Sequence, residues 1–336
     1  MRARRNMRKI LVMASAVLAL ALAACGGSSS NQAGGSSGSS PGGSVEFYSS
    51  FTATVNGRIS AAWTKAYPNI KLNILQAVGD VLIARLDQEI KTGIKGADVA
   101  VQANQTWAED NTKAFTPLTG SAVSQWQGTQ YFNKTYAIVE LQPWCIAYNS
   151  KLVKNPPTDY TDLLNPDVKG RVGMLPLESI SVDSEWNYLA TKFPNFLTKL
   201  AAQQPKILML QDAVQALAAG EIAELGMMVP GTADALIKAG APIVQVFAKS
   251  GTTYATQIVT EMANAPHPAA AKLLANFLLS PAGQTAINGD NNGVAPLGNV
   301  PSAINVGNSP LVNIHTDKFT AQDDSAFTAK WDSIFK

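Results

Sequence analysis

The side chains that commonly carry chemistry are few in this sequence and far apart. There are two histidines, His267 and His315, 48 positions apart, so no mechanism that needs a His cluster fits the chain. His267 stands between Pro266 and Pro268 where a helix begins, which points to a capping or surface role rather than a general base. There are two cysteines, Cys25 and Cys145, too few for a disulfide framework or a Cys-rich zinc module. Cys145 lies in the apolar run Trp144-Cys145-Ile146-Ala147-Tyr148 and reads as a small buried hydrophobe. The sequence has no G-x-G-x-x-G after a strand, no G-x-x-x-x-G-K-[ST], no G-x-S-x-G, no H-E-x-x-H and no C-x-x-C. Its carboxylates are scattered, so choosing two as an acid and a nucleophile would be arbitrary. The expectation is a protein without catalytic residues, metal ligands or cofactor.

Composition agrees with a globular body. The 336 residues are 46% hydrophobic and 15% charged, which excludes a wholly disordered chain and a coiled coil. Lys and Arg number 26 against 24 Asp and Glu, too balanced for a strongly basic nucleic-acid protein. No nucleic-acid partner is expected.

The N-terminus reads as an address. Arg2, Arg4, Arg5, Arg8 and Lys9 precede an apolar run of 15 residues, Ile10 to Ala24. A membrane-spanning helix needs about 20 apolar residues, so the run suits a signal peptide better. It ends in Leu22-Ala23-Ala24-Cys25, which resembles the lipobox of bacterial lipoproteins. That resemblance implies cleavage after residue 24 and lipidation of Cys25; the alternative is a plain signal peptide cut near Ala24. The first 24 residues hold five basic and no acidic side chains, so the remainder has 21 basic and 24 acidic residues, a net of −3. Residues 26–44 follow, 15 of the 19 being Gly or Ser. Such a segment is a flexible tether with a mean reach of roughly 25 Å.

From residue 45 onward strand-like and helix-like segments alternate, which predicts an α/β fold. Val45–Ser49, Ile70–Ile74, Ala97–Val101, Arg171–Leu175, Ile222–Val229, Pro242–Phe247 and Thr253–Val259 read as strands, and Ala137–Tyr148 as a longer β-prone stretch containing Pro143. Val55, Ile59, Trp63 and Ala66 recur at helical spacing up to Pro68. Leu82, Ile83, Leu86 and Ile90 do the same behind a capping Asp80. Thr106 and Thr232 are expected as further helix caps. Residues 156–170 read as turns around one short helix, and residues 184–204 as helix broken at Pro194. Gln211–Ala219, Pro268–Leu279 and residues 321–335 complete the helices.

The order of these segments resembles a known family. Val45-Glu46-Phe47-Tyr48-Ser49-Ser50 precedes a helix and then Ala66-Tyr67-Pro68-Asn69-Ile70-Lys71-Leu72. Later come Gly96-Ala97-Asp98-Val99, Tyr160-Thr161-Asp162-Leu163-Leu164 and Lys169-Gly170-Arg171. The clearest block is Asn264-Ala265-Pro266-His267-Pro268 followed by Phe277-Leu278-Leu279-Ser280-Pro281-Ala282-Gly283-Gln284. Together they are similar to the extracellular solute-binding proteins of ABC importers, of the ferric-ion, thiamine, polyamine and phosphonate type. The resemblance implies a two-lobed periplasmic-binding-protein fold of type II, with crossing strands between the lobes and a ligand cleft. It places lobe 1 at 45–142 plus 250–290 and lobe 2 at 143–249 plus 291–336. It implies a monomer, exported and held at the membrane by Cys25, facing the outside or the periplasm. Its partners would be a small solute, an ABC permease and its ATPase. The same cleft would also serve a lipoprotein that signals occupancy to a membrane partner.

The resemblance also nominates ligand-binding residues. Tyr48, Ser49 and Ser50 match the first cleft loop, with helix capping as the alternative role. Asn104, beside Gln102, follows the Ala-Asp-Val strand. Trp144 lies in or near a crossing strand, as a stacking surface or as core. Ser179 and Ser181 sit where ferric relatives bind the anion that accompanies iron, with Glu178 and Asp183 as carboxylates for a ligand amine. Tyr254 lies on the return to the first lobe. One departure weighs on the cargo: ferric relatives carry adjacent tyrosines where this chain reads Gly226-Met227-Met228-Val229-Pro230. Hard Fe(III) prefers phenolate oxygen to thioether sulfur. The expected solute is therefore small, organic, and polar or anionic, with ferric ion as the lesser alternative.

Overall fold

A computed structural model describes residues 43–77 and 79–336. The lipobox, Cys25 and nearly all of the expected tether lie outside the described residues. The described residues belong to one compact unit. Among the described residues no helix is long and apolar enough to cross a membrane.

The unit contains two sheets. In the first, the strands stand in the spatial order Ile70–Gln76, Gly43–Ser49, Val99–Gln102, Thr252–Met262, Tyr136–Pro143 and Phe132–Asn133. The first three run parallel; Thr252–Met262 is antiparallel to Val99–Gln102 and to Tyr136–Pro143. In the second sheet the order is Ile243–Val246, Cys145–Asn149, Glu224–Met228, Val172–Met174 and Lys206–Ile207. Cys145–Asn149 and Glu224–Met228 are buried at every position, as strands covered on both faces must be.

Each sheet has its own core. Helix Ala53–Ala66 buries Val55, Ile59 and Trp63 against the first sheet, and the Trp63 indole donates to the Ile70 carbonyl at 2.9 Å. Helix Pro268–Leu279 packs Ala271, Leu274, Ala275 and Leu278 into the same core. In the second core Trp186 is fully buried and lies 5.9 Å, ring to ring, from Trp331 of the last helix, Ala321–Phe335. The C-terminal helix is thus part of the second core, together with Phe327 and Trp331. The segment before it belongs elsewhere: Val294 bridges Leu141 of the first sheet, and Asn292 donates to Glu140 there at 2.6 Å.

Three stretches of chain pass between the sheets. The first is Pro143-Trp144, where the expected long β stretch divides. Proline lacks the N–H a ladder needs, and the Trp144 N–H turns to the Thr253 carbonyl at 2.9 Å. The second is Ser250-Gly251 at the start of Thr252–Met262. Gly251 has φ +131°, and a Cβ there would stand 2.6 Å from Val312 Cγ2 and 3.3 Å from the Pro310 carbonyl oxygen, so glycine is required. The third is residues 309–312, which sequence reasoning had not singled out. Leu311 and Val312 pair in parallel with Thr252 and Thr253, and the Thr252 and Ser309 hydroxyls lie 2.7 Å apart.

Most other differences from expectation concern helix starts. Helix Gly79–Thr92 begins before Asp80 rather than after it. Asn104, not Thr106, caps helix Gln105–Asp110. The Thr232 hydroxyl turns back to the Val229 carbonyl at 2.7 Å, and helix Asp234–Lys238 starts without a side-chain cap. An added helix, Pro281–Asn288, uses Ser280 as its cap; the Ser-Pro-Ala-Gly block had carried the family resemblance but no helix had been read from it. Residues 156–170 hold two short 3₁₀ helices, Tyr160–Leu164 and Pro166–Val168.

A cleft of neutral side chains at the crossing strands

A cavity of about 230 Å³ opens where the crossing stretches meet. Ala103 and Gln142 come to it from the first sheet, and Tyr254, Ala255 and Thr256 from the crossing strand. Ser181 reaches it from the first turn of helix Ile180–Lys192 on the second core. Asn313 and Thr316 close it from the third crossing. The wall is therefore shared by both halves of the molecule.

Local sequence explains how each residue is held. Tyr254 stands opposite Pro143 in the ladder and is buried, and that burial, with Tyr131 nearby, pushes its phenol up to about 12. It therefore stays protonated, able to donate and accept. Ser179 caps its helix, accepting from the Val182 N–H at 3.4 Å, and so fixes the turn that carries Ser181. The Asn313 carboxamide oxygen accepts the His315 N–H at 2.8 Å. Thr316 is tied to the second core by the Ser184 hydroxyl, 3.3 Å away.

The eight nominated residues separate into two groups. Ser181 and Tyr254 line the cavity. The others have internal work. Tyr48 donates to Glu89 at 2.9 Å and accepts from Arg85 at 2.8 Å. Ser49 is fully buried and donates to Asn56 at 2.7 Å, while Ser50 donates to Gln257 at 2.6 Å. Asn104 accepts the Trp107 N–H at 2.8 Å as a helix cap. Trp144 is buried in the second core, and Ser179 is a cap. Gln142, Thr256, Asn313 and Thr316 were not anticipated. The alternation of Ala137–Tyr148 places Gln142 on a definite strand face, but nothing local marks a register or a third crossing.

The carboxylates around the cleft are held out of water. Burial pushes Glu185 up to about 7, offset in part by Thr253, Tyr160 and Lys192. Asp183 is pushed up to about 7, first by burial and then by the facing Asp324 carboxyl; the N–H groups of Glu178 and Ser179 act in the opposite sense. Gly226, Met227 and Met228 lie in a fully buried strand, and a Cβ on Gly226 would stand 2.9 Å from Leu163. That stretch therefore presents no oxygen ligand to the cavity. Cys145 is free and buried, and its thiol donates to the Met228 carbonyl at 3.3 Å.

Comparison with known proteins gives this arrangement its context. No curated protein sequence matches the chain. Among solved structures it is similar to the substrate-binding protein of an ABC transporter from Agrobacterium tumefaciens, with a TM-score of 0.67 at 15% identity over 89% of this chain and 96% of that one. Iron-bound HitA from Pseudomonas aeruginosa gives a TM-score of 0.65 at 16% identity over 88% and 99%. AfuA from Actinobacillus pleuropneumoniae, with fructose-6-phosphate bound, gives 0.62 at 17% identity over 87% and 98%. These likenesses establish the two-lobed, type II periplasmic-binding-protein fold. The model of one family, described as bacterial extracellular solute-binding protein, matches residues 97–309, from the third strand of the first sheet to the third crossing. The chain therefore belongs to the bacterial extracellular solute-binding proteins.

Proposed function

We propose that the protein is a lipid-anchored receptor that captures a small polar organic solute between its lobes and hands it to an ABC permease and its ATPase. The observation that carries this reading is the cavity at the crossing strands, to which both lobes contribute polar side chains. Residues on opposite sides of a hinge can close on a solute only by moving together, which is how binding is converted into a shape that a permease recognises. Ser181 and Tyr254 are its contacts from the nominated set, joined by Gln142, Thr256, Asn313 and Thr316.

The anchor rests on Leu22-Ala23-Ala24-Cys25 and the Gly/Ser segment behind it, which lets a monomeric body sit just off the membrane surface. Ferric ion is the weaker reading of the cargo, because the stretch that would carry paired tyrosines is a buried Gly-Met-Met.

The test is thermal unfolding of the purified chain against sugars, polyols, carboxylates, phosphonates, polyamines, thiamine and ferric salts. A ligand at 100 times its Kd adds about 2.7 kcal/mol, which moves the midpoint of a chain this size by several degrees. A single organic hit lost in Ser181→Ala supports the receptor; a ferric hit overturns the cargo reading. For the anchor, a palmitate analogue fed to expressing cells should label the wild type and not Cys25→Ala.

A further inference from the structure

The cavity's chemistry narrows the class of solute, on the footing of the receptor reading above. Among the described residues that line it none carries a charge: its polar groups are Gln142, Ser181, Tyr254, Thr256, Asn313 and Thr316. An anion entering this space would leave water without meeting a guanidinium or an ammonium.

The hydrogen-bonding sense of the wall is mixed. The Gln142 carboxamide brings both a carbonyl oxygen that accepts and an NH₂ that donates. In the Asn313 carboxamide the oxygen is taken by the His315 N–H, so its NH₂ remains to donate. A sulfate or an ionised carboxylate only accepts and has no donor to offer the Gln142 oxygen. A solute hydroxyl both donates and accepts, and so satisfies both carboxamides.

The place where an anion would find backbone N–H donors already has a carboxyl group. Asp183, two residues beyond Ser181, sets a buried carboxyl in the first turn of that helix, near the Asp324 carboxyl of the C-terminal helix. The positive end of the helix dipole is thereby met from within the chain. A ligand anion at Ser181 would approach two carboxyl groups.

We propose that the cleft selects a small uncharged polyhydroxylated solute, a monosaccharide or a smaller polyol, and rejects its phosphorylated or carboxylated counterparts. The cavity, at about 230 Å³, falls below the roughly 300–1,000 Å³ of drug-sized ligand sites and fits a single sugar ring. Gln142 and Asn313 set the requirement for hydroxyls; Asp183 and Asp324 supply the discrimination against anions.

The test is isothermal titration of the purified chain with glucose, fructose, myo-inositol and glycerol, in parallel with fructose 6-phosphate, inorganic phosphate, sulfate and citrate. The expected result is saturable binding of a neutral member, with every anion about 100-fold weaker or worse, since unmatched and like charges at an interface cost several kcal/mol. Asn313→Ala should weaken the neutral solute about tenfold, the effect of one lost hydrogen bond. Asp183→Asn, nearly isosteric, should raise the affinity for fructose 6-phosphate or phosphate about tenfold. An anion that binds as tightly as the best neutral member overturns the proposal, and so does the absence of binding by all four neutral solutes. The receptor reading is judged separately, by mass spectrometry of small molecules released when the purified chain is heat-denatured. It falls only if nothing is released and no solute of any class binds.

Discussion

The two sides of the cleft use the same kinds of residue for opposite purposes. On the first-lobe side, Tyr48, Ser49, Ser50 and Asn104 are hydroxyl, phenol and amide groups in loops after strands, and each is spent inside the fold. On the crossing-strand and second-lobe side, Tyr254, Ser181, Asn313 and Thr316 are the same chemical types, yet they line the cavity. Residue type and loop position therefore do not decide which side chains reach the cavity. What separates the groups is whether the side chain reaches the cavity wall, since Asn313 and Thr316 also have partners within the chain.

Substitutions can break this contrast, and the largest effect is expected beneath the second-lobe side. Trp186 belongs to the same helix as Ser181, is fully buried on its core face and donates to the Leu175 carbonyl at 3.1 Å. Trp186→Ala should cost about 3–5 kcal/mol in denaturant unfolding and take solute binding with it, because the platform for Ser181 is lost. Unfolding without loss of affinity would show that the cleft does not depend on that helix.

The next effect is a difference in pH response between the lobes. Burial pushes Glu140 of the first sheet up to about 8, against the charge of Arg58 and the Asn292 hydrogen bond, while Glu185 of the second lobe rises to about 7. In each case the folded value lies above the unfolded one, so the folded state holds its proton longer. Stability is then greatest below the unfolded carboxylate value and falls as pH rises towards the folded one, by about 1.4 kcal/mol per pH unit per group. Between pH 7 and 8 the remaining slope belongs to Glu140. Glu140→Gln should flatten that interval in unfolding measured by circular dichroism, while the fall below pH 7 persists.

Smaller effects separate the two faces directly. Asn56 accepts the Ser49 hydroxyl and donates to the Phe51 carbonyl at 3.0 Å. Asn56→Ala should cost about 1–3 kcal/mol by leaving buried groups unpaired, with solute affinity unchanged in titration. Ser181→Ala should do the reverse: stability within about 0.5 kcal/mol, affinity down about tenfold. Equal affinity losses in both would erase the distinction between the sides.

The fold was largely readable because period and punctuation coincide. Val55, Ile59 and Trp63 declare a helix that Pro68 ends, and Pro268 to Leu279 declares another whose observed bounds are the same. Caps were read less well: Thr106 and Thr232 offered the right hydroxyl one or two residues from the true start. The site was legible only in part. Ser181 and Tyr254 sit at positions that the family resemblance marks, whereas Asn313 and Thr316 reach the cavity through a crossing at 309–312 with no periodic signal. That crossing forms because Leu311 and Val312 pair with a strand some 60 residues earlier, a match that local sequence does not announce. His267 shows the same limit: its position at a helix start was evident, but not that its N–H and ring would both engage the buried Asp98, at 2.6 and 2.8 Å.

The late strand Thr252–Met262 sits in the middle of the first sheet, between strands from near residues 100 and 140. The second core, for its part, waits for Phe327 and Trp331. Neither half can therefore close until these late segments have been made. Contacts this distant in sequence also form slowly. For a member of an extracellular solute-binding family such a delay has a use: a polypeptide that closes late is still loose when it meets the export machinery.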